Sequence, residues 1–148
     1  AVGLEGYPNT TLVDGMHLYF PLEPRYSFVL SKSFAEVLAR LAASERPDLF
    51  TMPRSVAKRE SGKVYFDYLQ NGQGKTIAAP YVVRAYAGAP VATPLAWREV
   101  CPGLLPTQFT VRNAVARFDR AGDLFEGVLK KPQTLEAPLL KLEKLLRT

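Results

Sequence analysis

Apolar residues at Phe34, Val37, Leu38 and Leu41 follow the i, i+3, i+4, i+7 spacing that lays one stripe along a helix. The spacing predicts a helix over 31–46, opened by an S-x-x-E capping box of Ser33 and Glu36 and stopped by Pro47. Elsewhere the pattern shifts to short runs of β-formers. Met16 to Leu22 reads as a strand that ends, or lies at an edge, at Pro21. Strands follow at about 63–69 and 76–83, joined by the turn Asn71-Gly72-Gln73-Gly74. Gly88 to Pro94 is extended, and Thr93-Pro94 starts a short helix through Trp97 to Val100, with Trp97 as a packing residue. Asp123 and Glu126 form a second capping box ahead of Leu124, Phe125, Val128 and Leu129. Lys131-Pro132 breaks that helix, and Thr134 caps a last one with Leu135, Leu139, Leu142 and Leu146 on one buried face. Strand, helix, two strands, a mixed region and C-terminal helices make an α+β domain over 1–148, with a mostly antiparallel sheet and helices packed on one face. There is no internal repeat.

Composition narrows the class. With 148 residues, 47% of them hydrophobic, the chain can bury a core. The net charge of +5 is a mild push toward anionic partners. One cysteine, Cys101, allows no internal disulfide and fits a reducing cytoplasm. One Cys and one His do not build a zinc site of the usual kind. No apolar run approaches the roughly 20 residues that span a bilayer, and the N-terminus lacks a signal-peptide pattern. The sequence begins at Ala1, as expected of a processed or excised piece of something longer.

Candidate chemistry concentrates around Asp67. An apolar strand centre disfavours a carboxylate that meets no cation or donor, yet Asp67 sits in the run Val64-Tyr65-Phe66-Asp67-Tyr68-Leu69. It either faces solvent on an edge strand or belongs to a site for a metal and an anion such as a nucleoside triphosphate. Lys75 and Arg84 would add the positive charge a triphosphate needs, and Gln70 and Asn71 could hydrogen-bond a base, sugar or phosphate. The preceding segment 51–62 carries Arg54, Lys58 and Arg59, with Lys63 just beyond and only Glu60 against them. It is a solvated loop or a phosphate-contacting one. His17, after a glycine turn, is a structural residue or a donor to phosphate or metal. Two-metal nucleotidyl transfer needs about three carboxylates around the cations. Asp67 alone does not supply them, and Asp14, Asp48, Asp119 and Asp123 fall in turns or caps.

Several linked motifs recur together: Tyr7-Pro8-Asn9-Thr10-Thr11 with Asp14-Gly15-Met16-His17-Leu18-Tyr19, Arg46-Pro47-Asp48-Leu49-Phe50-Thr51, Ala57-Lys58-Arg59, Val64-Tyr65-Phe66-Asp67-Tyr68-Leu69-Gln70-Asn71, Lys75 to Tyr81 with Arg84, Pro90 to Leu95 with Trp97, and Gln108-Phe109-Thr110. In these the chain resembles the C-terminal half of the polymerase domain of bacterial DNA ligase D, in the archaeo-eukaryotic primase superfamily. The resemblance implies a primase-polymerase-like half domain, DNA-directed nucleotidyl transfer to DNA ends in non-homologous end joining, and Mn or Mg as cofactor. It implies Asp67 as the third metal-binding, catalytic carboxylate. His17, Gln70, Lys75, Arg84 and Thr11 become nucleotide-binding residues, and Arg54, Lys58 and Arg59 contact DNA. Implied partners are DNA ends, a nucleoside triphosphate, Ku, and a ligase domain or a separate N-terminal half.

The family's D-x-D pair lies upstream of where this sequence begins, so this chain alone is expected to lack efficient transfer. Leu12 and Val13 stand where the family has glycines, and Asn9 where it usually has lysine. Two other readings remain open. One is a non-catalytic nucleic-acid-binding module. The other is a self-associating remnant, a homodimer touching through Leu12 and Val13.

Overall fold

The structure is a computed structural model and describes residues 2–11 and 15–147. The predicted contact at Leu12 and Val13, and the turn at Asp14, lie outside the described residues. The fold is α+β, in two compact units: Ala1–Glu23 with Ala78–Thr148, and Pro24–Ile77.

In the first unit, β1 (Tyr7–Thr10) pairs antiparallel with β2 (Met16–Tyr19), setting Asn9 opposite His17 and Tyr7 opposite Tyr19. The other edge of β1 is taken by the chain at 93–95. Thr10 N donates to Thr93 O (2.9 Å) and Leu95 N to Pro8 O (2.9 Å). The predicted extended segment is the spine of this unit: Ala92 and Thr93 are fully buried, and Val91 and Leu95 nearly so. Small and β-branched side chains let neighbouring backbone close on both sides, and Pro90 and Pro94 carry no N–H that needs an acceptor. Antiparallel bridges Val83↔Val91 and Pro90↔Thr110 extend the pairing.

The predicted strand at 76–83 does not form as one. Pro80 lacks an N–H and Tyr81 stands at φ +68°, so extended pairing begins only at 81–84. The helix after Trp97 shortens to a 3-10 turn, Trp97–Glu99; Trp97 packs its indole by donating Nε1–H to Gly6 O (2.7 Å).

Helix α2 (Ala114–Ala121) is tied to this spine through Arg117. Its guanidinium donates to both oxygens of Glu99 (2.6 and 2.8 Å) and to Pro94 O (3.0 Å). The short helix α3 covers only Glu126–Lys130. Asp123 is not its cap, because Asp123 Oδ1 accepts from Phe125 N (2.9 Å) and from the Tyr81 hydroxyl, while Glu126 pairs with Lys130. Helix α4 (Glu136–Leu146) starts with Leu135, not Thr134, at the capping position. Of its predicted stripe Leu135 and Leu142 are buried, whereas Leu139 and Leu146 are exposed; Pro138 joins the buried set instead.

In the second unit, α1 (Phe28–Glu45) begins before the predicted start. Ser27 caps it, Oγ accepting from Leu30 N (3.2 Å). Ser33 is therefore interior, and Glu36 pairs with Arg40 (2.7 Å) rather than closing a capping box. Phe34 and Ala39 are its buried residues. Arg46 ends the helix, as the following Pro47 requires. Beyond it, β3 (Phe50–Thr51) lies parallel to β4 (Val64–Tyr65). The predicted strand at 63–69 contracts to these two residues, because after Phe66 N donates to Thr51 O (3.3 Å) the chain turns at Asp67.

Candidate functional site

The turn after β4 is built by polar side chains. Asp67 Oδ1 accepts from Leu69 N (3.0 Å), an Asx-turn that takes the chain out of the strand. Asn71 Nδ2 donates to Tyr68 O (3.0 Å), Gly72 N to Gln70 O (2.9 Å), and Lys75 N to Gly72 O (3.1 Å). Gly74 stands at φ +73°, the left-handed region where glycine carries no Cβ penalty. Together these bonds fold Lys75 back toward Gln70.

Arg59 organises the basic loop before β4. Its guanidinium stacks 3.7 Å from the centre of the Tyr65 ring, and donates to Pro53 O (3.1 Å) and Arg54 O (2.9 Å). The stack and the two carbonyls hold the guanidinium against its own loop, with two of its N–H donors used there. Arg54 and Lys58 project from the same loop, exposed and without an ion pair among the described residues. Glu60 is taken by Lys63, which leaves the loop's other cations uncompensated.

These elements enclose a cleft of about 200 Å³ lined by Arg54, Arg59, Tyr65, Asp67, Leu69, Gln70 and Lys75. Three cations face one carboxylate there, with a side-chain amide beside them. Such a set suits an anion with several oxygens, such as a phosphate chain. Burial pushes the Tyr65 phenol up, Asp67 adding to this and Arg59 opposing it.

The cleft thus gathers Asp67, Gln70, Lys75, Arg54 and Arg59 of the expected site; Lys58 ends the adjacent 3-10 turn Val56–Lys58. Tyr65 and Leu69, read from the sequence only as β-formers, line it too.

His17, Thr11 and Arg84 belong to the first unit. His17 is half-buried on β2, its ring edge-on to Tyr19 at 5.9 Å, and burial pushes the Tyr19 phenol up. Thr11 closes the hairpin: its amide donates to Gly15 O (2.8 Å) and its hydroxyl accepts from Gly15 N (2.9 Å). Arg84 is exposed on the 81–84 segment, its amide bonded to Pro90 O (3.0 Å).

As a metal centre the residues fall short. One Asp67 oxygen is engaged by the turn, cations surround it, and no group of three His, Cys, Asp or Glu among the described residues could hold an ion. Among the described residues no helix is long and apolar enough to cross a membrane.

Comparison with known proteins gives the family. Residues 1–125 match the primase-polymerase domain of LigD. The bifunctional non-homologous end joining protein LigD of Bacillus subtilis is 35% identical over 145 residues, which cover 96% of this chain and 24% of that protein. The multifunctional LigD of Mycolicibacterium smegmatis is 37% identical over 142 residues, 92% of this chain and 17% of that protein. The solved polymerase domain of Mycobacterium tuberculosis ligase D, in complex with DNA, superposes with a TM-score of 0.79 at 31% identity, covering 89% of this chain and 45% of that one. The chain therefore spans about a quarter or less of these two relatives and under half of the solved domain. It belongs to the LigD primase-polymerase domain family.

Proposed function

We propose that this chain is the phosphate-handling part of a DNA-end-joining primase-polymerase. The observation that carries the reading is the cleft that gathers Arg54, Arg59, Asp67, Gln70 and Lys75 around one anion-sized space. Lys75 and Arg54 bind phosphate oxygens of a nucleoside triphosphate or a DNA end. Gln70 hydrogen-bonds sugar or base, and Arg59 holds the loop that offers Arg54 and Lys58 to the DNA backbone. His17, Thr11 and Arg84 are nucleotide-binding candidates of the first unit, taken by itself.

The relatives' names supply the setting, non-homologous end joining, with DNA ends as partner. Asp67 is the one carboxylate the cleft offers to Mg²⁺ or Mn²⁺, so nucleotidyl transfer requires carboxylates beyond these residues. The chain by itself therefore binds rather than polymerises efficiently. The test is calorimetric titration with a nucleoside triphosphate, with and without Mn²⁺. Saturable binding weakened by Lys75→Ala and by Gln70→Ala supports the reading; no binding at millimolar nucleotide refutes it.

A second reading, a nucleic-acid-binding module without catalysis, is favoured because no three metal-ligating side chains are grouped among the described residues. Salt-sensitive DNA binding with no nucleotide binding would select it.

A further inference from the structure

Tyr81 holds its backbone at φ +68°, a conformation that bulky side chains rarely adopt and that persists only where surrounding contacts over-determine it. Its amide donates to Ala92 O (2.7 Å), and Ala92 N returns a bond to Val82 O (3.0 Å). Its ring packs edge-on against Phe118 of α2 at 4.8 Å. Its hydroxyl donates to Asp123 Oδ1, which also takes Phe125 N (2.9 Å). Burial, with the Asp123 carboxylate adding to it, pushes the phenol well above its ordinary range, so Tyr81 stays a donor through neutral pH.

The contacts lead into a stretch of paired backbone. Residues 81–84 run against 90–92, where Val91 and Ala92 are buried, and Arg84 N closes the pairing on Pro90 O (3.0 Å). The left-handed turn at Tyr81 therefore sets the direction in which the next three residues leave. Arg84, the last of them, is exposed and has no ion pair among the described residues.

We propose that Tyr81 is a positioning residue: locked at its left-handed angle by Phe118 and Asp123, it fixes the 81–84 segment so that the Arg84 guanidinium is pre-set for a phosphate of a nucleoside triphosphate. The inference rests on the reading of Arg84 as a phosphate ligand. Tyr81 itself touches no phosphate. Its contribution is to spare Arg84 the entropy of ordering its backbone on binding.

The experiment titrates the whole chain with inorganic triphosphate by calorimetry. Arg84→Ala weakens binding roughly ten- to hundred-fold, the scale of a lost hydrogen bond to a charged group, and Tyr81→Phe roughly three- to ten-fold, the scale of an ordinary one. Asp123→Ala behaves like Tyr81→Phe, whereas Asp123→Asn, which keeps an acceptor, stays within about two-fold of the wild type. The double variant Tyr81→Phe/Arg84→Ala binds no more weakly than Arg84→Ala alone, since Tyr81 acts only through Arg84. Circular dichroism melting confirms that each variant is folded, and Asp123→Ala carries the test should Tyr81→Phe fail to fold.

Wild-type binding by Tyr81→Phe beside a weakened Arg84→Ala overturns the inference, as does an additive double variant. Wild-type binding by Arg84→Ala removes the phosphate role of Arg84 and the inference with it. The two failures are told apart by which single variant binds normally.

Discussion

Arg59→Lys keeps the charge of the loop and removes its geometry. The arginine stacks 3.7 Å over Tyr65 and donates to two carbonyls, at 2.9 and 3.1 Å. An ammonium has neither the plane to stack nor the fork to reach both acceptors. A part-exposed cation–π contact contributes about 0.5–1 kcal/mol, and each hydrogen bond about 0.5–1.5 kcal/mol. If roughly half of that total is needed to hold residues 53–59 in place, the variant must order the loop on binding at a cost of about 1–2 kcal/mol, or five- to thirty-fold in DNA affinity. Its salt dependence should hardly change, because the number of cations is the same. The assay is fluorescence anisotropy with a 5′-phosphorylated duplex at several salt concentrations. Arg59→Lys binding like the wild type while Arg59→Ala falls would refute the reasoning, since Arg59 would then act as a charge on phosphate rather than as the loop's anchor.

The Glu99–Arg117 pair should make the first unit acid-sensitive. The Arg117 guanidinium, with help from the Ala96 amide and against partial burial, holds the Glu99 carboxyl below the usual glutamate range. A lowered folded-state value contributes stability that is present above the unfolded value of about 4.3 and is lost as pH falls through the folded one. Thermal melting of the wild type should therefore drop below about pH 4.5 more steeply than that of Glu99→Gln; parallel curves would refute the assignment. Gly127→Ala should lower stability by about 1–3 kcal/mol in urea unfolding, because a Cβ there would run into the Tyr7 ring, which would have to leave its place. An unchanged midpoint would mean that α3 does not rest on Tyr7.

Local periodicity made the long helix legible, since the apolar stripe from Phe34 to Leu41 has few alternatives. Its start was misplaced because the S-x-x-E pattern at Ser33 was read as the cap, whereas Phe28–Leu30 extend the helix back to Ser27, which spacing alone does not reveal. At Asp67 the sequence was informative for the same reason that it misled. A carboxylate among β-formers marked the site, but its side chain ends the strand by capping Leu69 N, so the strand was overextended. The burial of 90–95 left no periodic trace, as expected of a segment covered on both sides. Tyr81 carries no sequence mark at all: a left-handed tyrosine is imposed by Ala92, Phe118 and Asp123, which lie 11 to 42 residues away. The cleft's basic and amide residues were legible from their clustering between 54 and 75, whereas Tyr65 enters only through the stack with Arg59.

The central claim is that the cleft at Asp67 takes phosphate, and the salt dependence of DNA-end binding tests it most directly. Binding of a 5′-phosphorylated duplex to the wild type should weaken steeply with salt. In the double variant Arg54→Ala/Lys75→Ala, affinity should fall and the slope of log K against log salt should flatten by about 1.8, the counterion release of two phosphate contacts. An unchanged slope and affinity in that variant would contradict the account and move phosphate binding away from the cleft.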